Sequence, residues 1–119
     1  MKTEDLIGTY TLVGSNQNEE QTPYKGRLTL TLDSYSRILA KWNINNIQEQ
    51  SGIGFFKDNI LVISFEYLGE DTLKYKGTVV YKCLTKDILE GFWSEEHGNP
   101  LYLGKERCIR IGETKSFLH

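Results

Sequence analysis

The chain has 119 residues, 39% hydrophobic and 25% charged, with a formal charge of −2 and a pI near 5.7, the balance of one globular domain with enough material for a core. The basic residues are dispersed, with Lys25, Lys74, Lys76 and Lys82 interleaved among acidic and apolar neighbours, so no stripe for phosphates exists and nucleic acid is not an expected partner. No apolar stretch is long enough for a signal peptide or a membrane span; with Met1 opening the chain, the expected location is cytoplasmic and no membrane partner is expected.

Residues 2 to 7 predict at most a short helical turn, after which apolar and polar residues alternate with period two through most of the sequence, the signature of half-buried strands. Gly8 to Val13 opens the series, and residues 14 to 23 read as a longer loop. Arg27 to Leu32 places Leu28, Leu30 and Leu32 on one face. Arg37 to Ile44 places Ile38, Ala40, Trp42 and Ile44 on one face, and Asp33-Ser34-Tyr35-Ser36 joins the two as a hairpin connection. Ile53 to Phe56 and Ile60 to Tyr67 flank Lys57-Asp58-Asn59, whose Asp-Asn pair suits a tight turn. Ile60 to Phe65 is almost continuously apolar and is expected to be buried on both faces. Thr78 to Cys83 and Ile88 to Ser94 form another hairpin, and Leu101 to Ile111 closes the series.

The chain also repeats itself. Tyr24-Lys25-Gly26 returns as Tyr75-Lys76-Gly77, and Trp42 as Trp93, both at a spacing of 51 residues. Leu28, Leu30 and Leu32 fall over Val79, Tyr81 and Cys83, and Ala40 over Gly91. Eight short strands with brief connections favour an all-β, eight-stranded, antiparallel up-and-down barrel with an internal duplication, because closure removes the exposed edges of an open sheet. A Greek-key sandwich is the rival. The expected organisation is one domain over residues 1–119, with the first six or so residues and residues 112–119 as terminal extensions.

Gly8-Thr9-Tyr10 resembles the Gly-x-Trp that opens lipocalin and avidin-type barrels, with Tyr10 in place of Trp, and Gly91-Phe92-Trp93 resembles another glycine-aromatic strand of such calycin-type folds. The resemblance implies a barrel in which a late basic residue, Arg107 or Arg110, packs over Tyr10. The asparagine that avidins place after the first aromatic is absent, as is their full set of biotin-contacting residues, so biotin binding is not implied.

Trp42 and Trp93 share a face with the small residues Ala40 and Gly91 two positions earlier. Such a pattern either tapers a filled core or leaves a hollow against an aromatic wall. On the second reading the interior binds a small, largely apolar ligand without catalysis, and Tyr10, Trp42, Phe65, Tyr81 and Trp93 are the expected ligand-binding residues. Two further functions stay open: an interaction or inhibitor-like barrel using its loops and outer wall, and an enzyme using the cavity. A titratable group with a shifted pKa inside the cavity would distinguish the last.

No cofactor or metal is expected. Cys83 and Cys108 lack a CxxC spacing and are expected to be reduced. Glu95-Glu96-His97 reads as a solvated loop. Glu90 and Glu106 could approach each other on neighbouring strands, but alternation puts Glu90 on the face opposite Trp93. Leu39, Val80 and Phe92 fall on the outward face, where grouped apolar side chains favour a homodimer.

Overall fold

The computed structural model describes residues 1–112. A 3₁₀ turn, Thr3–Leu6, precedes eight strands: β1 (Gly8–Ser15), β2 (Pro23–Leu32), β3 (Ile38–Ile44), β4 (Gln48–Lys57), β5 (Ile60–Leu68), β6 (Lys74–Thr85), β7 (Ile88–Glu95) and β8 (Gly104–Arg110). Each strand pairs antiparallel with the next and β8 pairs with β1, so the sheet closes in simple meander order. The expected all-β, eight-stranded barrel is what the chain forms.

Period-two alternation places the core. Leu28 and Leu30 of β2, Ile38, Ala40 and Trp42 of β3, and Val79, Tyr81 and Cys83 of β6 all point inward and are buried. The two-residue connection between β4 and β5 is Asp58-Asn59, at φ +51° and +65°. Those are the left-handed angles of a turn whose twist matches the strands it joins, and Asp and Asn tolerate them better than most residues.

Several strand expectations need correction, the first being that β2 starts at Pro23 rather than Arg27, its early residues pairing with β1 and taking Gly14, Ser15 and Pro23 out of the expected loop. The β5 run is not buried on both faces: Leu61, Ile63 and Phe65 face the core while Ile60 and Ser64 are exposed. A barrel wall has water on its outer side, so the apolar run there is half-solvated. β4 and β6 begin several residues before the expected starts, because polar Gln48–Gln50 and Lys74–Lys76 pair with neighbouring strands despite weak apolar alternation. The last strand begins at Gly104, since Asn99 turns the chain by accepting the Leu101 N–H on its side chain and the Tyr102 N–H on its carbonyl.

The 3₁₀ turn is held by the Lys2 N–H donating to Asp5 Oδ2 at 2.7 Å, and it seats Leu6 with no exposed surface. Leu6, expected in a terminal extension, is therefore a plug at one end of the barrel. Arg110 fastens it, donating to the carbonyls of Asp5, Ile7 and Lys86, to Asp87 and to the Tyr10 hydroxyl. Its guanidinium lies 4.8 Å over the Tyr10 ring. Arg110 therefore takes the position over the first-strand aromatic, while Arg107 points outward to Glu90. Gly8 stands beside this clamp at φ +148°, where a side chain would collide with Arg110. The expectation for residues 112–119 lies outside the described residues except for Gly112.

Candidate functional site

The opposite end of the barrel is open, and a cavity of about 80 Å³ lies beneath its mouth. Its wall is aromatic. Phe65 of β5 meets Trp42 of β3 and Trp93 of β7 edge-to-face, both at 6.1 Å between ring centres, and Tyr67 stacks on Phe65 at 6.4 Å. Several of these rings sit directly across from a glycine on the neighbouring strand: Phe65 from Gly77, Tyr81 from Gly91, Trp93 from Gly104 and Tyr24 from Gly14. A Cβ at Gly77 or Gly104 would overlap the ring itself. The glycines therefore let bulky rings lie flat along the wall of a narrow barrel.

The floor is polar. Glu106 of β8 is buried at 8% exposure. The Tyr24 hydroxyl donates to Glu106 Oε2 at 2.6 Å, and the Tyr81 hydroxyl donates to Oε1. Each tyrosine in turn accepts an indole N–H: Trp93 donates to Tyr24 at 2.8 Å, and Trp42 to Tyr81 at 3.2 Å. An indole N–H can only donate, so the direction of the whole chain is fixed, Trp42 to Tyr81 to Glu106 from one side and Trp93 to Tyr24 to Glu106 from the other. The Cys108 thiol adds a weak contact at 3.9 Å to Oε1. Every buried side-chain polar atom among the described residues has a partner.

Burial pushes the Glu106 carboxyl above its ordinary range, opposed by the hydroxyl donors that favour the charged form. Burial also raises the Tyr24, Tyr81 and Cys108 groups, and the neighbouring Glu106 carboxylate raises them further. A second carboxylate, Glu95, stands nearer the mouth and accepts a hydrogen bond from the Tyr67 hydroxyl. Tyr75, the repeat counterpart of Tyr24, stacks outside Tyr67 at 5.4 Å and binds Asp71 instead.

The wall has a lateral gap here. The β4–β5 ladder ends at Ser51–Glu66, although Gln48–Gln50 remain paired to β3 and Tyr67–Leu68 to β6. Trp42, Gln48, Gln50 and Tyr67 border both the interior cavity and the groove outside this gap.

Four of the five expected ligand-binding residues, Trp42, Phe65, Tyr81 and Trp93, converge on this cavity. Tyr10 lies at the plugged end, with its hydroxyl facing the carbonyls of Leu6 at 2.8 Å and Lys86 at 3.0 Å. Sequence reasoning did not assign Tyr24, Tyr67 or Glu95 to the site, and considered Glu106 only as a partner for Glu90; Glu95, expected in a solvated loop, ends β7 and borders the cavity. Glu106 was legible as an acid on the inward parity of Gly104-Glu106-Cys108, whereas its tyrosine partners come from strands distant in sequence. Glu90 points outward, so the two carboxylates do not meet. His97 is exposed beside Glu96, at 3.2 Å.

No family model matches the sequence, and no curated protein matches it significantly. Solved structures do match in fold. A redesigned β-barrel is 14% identical with a TM-score of 0.68, over 92% of this chain and 95% of its own. Another redesigned barrel, bound to DFHBI, is 17% identical with a TM-score of 0.62, over 92% of this chain and 97% of its own. A protein of unknown function from the DUF3598 family of Nostoc punctiforme is 12% identical with a TM-score of 0.56, over 93% of this chain and 49% of its own. At these identities the likeness is one of fold: a small, closed, eight-stranded antiparallel β-barrel.

Proposed function

We propose that this protein binds a small molecule, without catalysis, in the open end of the barrel, with aromatic parts of the ligand against Trp42, Phe65 and Trp93. The observation that carries the reading is the Trp–Tyr–Glu–Tyr–Trp chain: it holds both indoles in fixed orientations around a cavity that the core leaves unfilled. A preorganised aromatic wall with a few convergent polar groups is the usual form of a ligand pocket. Barrels of the same fold with DFHBI bound support the idea that this architecture accommodates an interior ligand. The cavity is small against the ~300–1,000 Å³ of drug-sized pockets, so part of the ligand occupies the mouth or the β4–β5 gap.

The enzymatic alternative draws on one observation, the raised Glu106 carboxyl. Binding is favoured because each Glu106 oxygen already accepts a tyrosine hydroxyl, and the nearby Cys108 thiol is held protonated by burial. The reading includes a cytoplasmic location and a homodimer through the outer wall. No helix among the described residues is long and apolar enough to cross a membrane. A thermal-shift screen of small aromatic compounds tests the function: wild type should be stabilised by at least one class, and Trp93→Ala should lose that response. Stabilisation retained in Trp93→Ala would place the ligand elsewhere.

A further inference from the structure

The cavity is acidic as well as aromatic. Glu95 and Glu106 border it, and no Lys, Arg or His does. Five ion pairs form among the described residues, and neither of these carboxylates belongs to any of them. Glu106 is thus a buried acid whose hydrogen bonds are complete but whose anionic form has no counter-charge. The fixed donor direction asks it to be an anion, and burial opposes that.

From this we infer that the ligand is an ammonium cation, an organic amine whose charged head enters the aromatic cavity between Glu95 and Glu106. The inference rests on the binding function proposed above and names its ligand class. Three independent properties converge on it. Ring faces attract cations, most strongly Trp, and Trp42 and Trp93 both border the cavity. A cation supplies the charge that the buried carboxylate lacks, in surroundings where attraction is much stronger than in water. The volume of about 80 Å³, several times the ~10–15 Å³ that a cavity needs to hold one water, admits a charged head group while leaving the remainder of the ligand in the mouth. An anionic ligand would meet two carboxylates, and a purely apolar one would leave Glu106 uncompensated.

Calorimetric titration with benzylammonium chloride and with benzyl alcohol, nearly equal in size and differing in charge, tests the inference at pH 7. Wild type should prefer benzylammonium by at least about tenfold, the scale of a partly desolvated cation–π and charge contact. Glu106→Gln should abolish most of that preference, read as the ratio of the two affinities on the same variant, because the loosened tyrosine contact weakens both compounds alike while only the cation loses its charge partner. Glu95 is less buried and nearer the mouth, so Glu95→Gln reports even if Glu106→Gln does not fold, and it should reduce the preference by about threefold. Equal or tighter binding of benzyl alcohol to wild type, or an unchanged preference in the variants, overturns the amine assignment and leaves the binding function standing. If neither compound binds wild type, the amine assignment falls, and the thermal-shift screen decides whether the binding function falls with it.

Discussion

At the residue scale, Glu106 makes the clearest physical demand. Its folded-state carboxyl lies above the ordinary value of 4.5, so the folded chain holds a proton that the unfolded chain releases. Stability attributable to this group is therefore fully present below about pH 4.5 and is lost as pH rises through the folded value. The other titratable groups facing it, Tyr24 and Tyr81 from β2 and β6 and Cys108 from β8, are all raised and remain protonated through neutral pH. Urea unfolding from pH 4 to 8 should show wild type losing stability relative to Glu106→Gln as pH rises. The variant's amide oxygen accepts from one tyrosine but its nitrogen cannot accept from the other, so it carries a loss of its own that the comparison of slopes with pH, rather than of absolute stabilities, sets aside. Parallel curves would contradict the raised carboxyl. Gly104→Ala should displace the Trp93 indole, and its emission spectrum should shift even where the fold survives; an unchanged spectrum would show that the ring does not rest on that glycine. The aromatic residues of the site were legible because alternation assigns each side chain to a face. The hydrogen bonds between them were not, because Tyr24 and Glu106 are 82 positions apart and only the closed barrel brings them together.

At the scale of elements, the two barrel ends have opposite characters. The plugged end joins the 3₁₀ turn, β1, β8 and the β6–β7 turn through Arg110 and Tyr10. Leu6→Ala should cost roughly 2–5 kcal/mol, the usual range for emptying a fully buried leucine site, measured by chemical denaturation. A cost under about 0.5 kcal/mol, typical of a surface position, would show that the turn is an appendage. The Leu6 plug was hidden in sequence because a single turn carries no periodicity, and its burial depends on Arg110, over a hundred residues away. The early portions of β4 and β6 were hidden for a related reason: strand pairing there is set by neighbours, and the local residues are polar. At the open end, the unpaired stretch between β4 and β5 follows no sequence signal, since Gln48–Gln50 and Tyr67–Leu68 are each paired on their other side.

For the whole molecule, the barrel order was legible because eight alternating segments with short connections have few other ways to hide their edges. The pairing register follows the sequence repeat: Gly26 faces Ile44 and Leu28 faces Trp42, as Gly77 faces Glu95 and Val79 faces Trp93. We propose that the halves arose by duplication, and superposition of β1–β4 on β5–β8 with Trp42 on Trp93 tests it. On the outer wall, Phe55, Val62, Val80 and Phe92 lie opposite one another across four strands, with Phe55 67% and Phe92 49% exposed. A continuous apolar row of this kind is the surface that a homodimer would cover. Sedimentation should show wild type self-associating and Phe92→Lys monomeric, and a monomer at every wild-type concentration would remove the dimer. The central claim is that the open end of the barrel is where a ligand sits, and the two indole N–H resonances report on it directly. In a ¹⁵N-resolved titration with benzylammonium, both indole signals, assigned through Trp42→Phe and Trp93→Phe, should shift together and saturate at one affinity. Saturable binding by calorimetry with both indole signals unmoved would place the ligand outside the cavity and contradict the account.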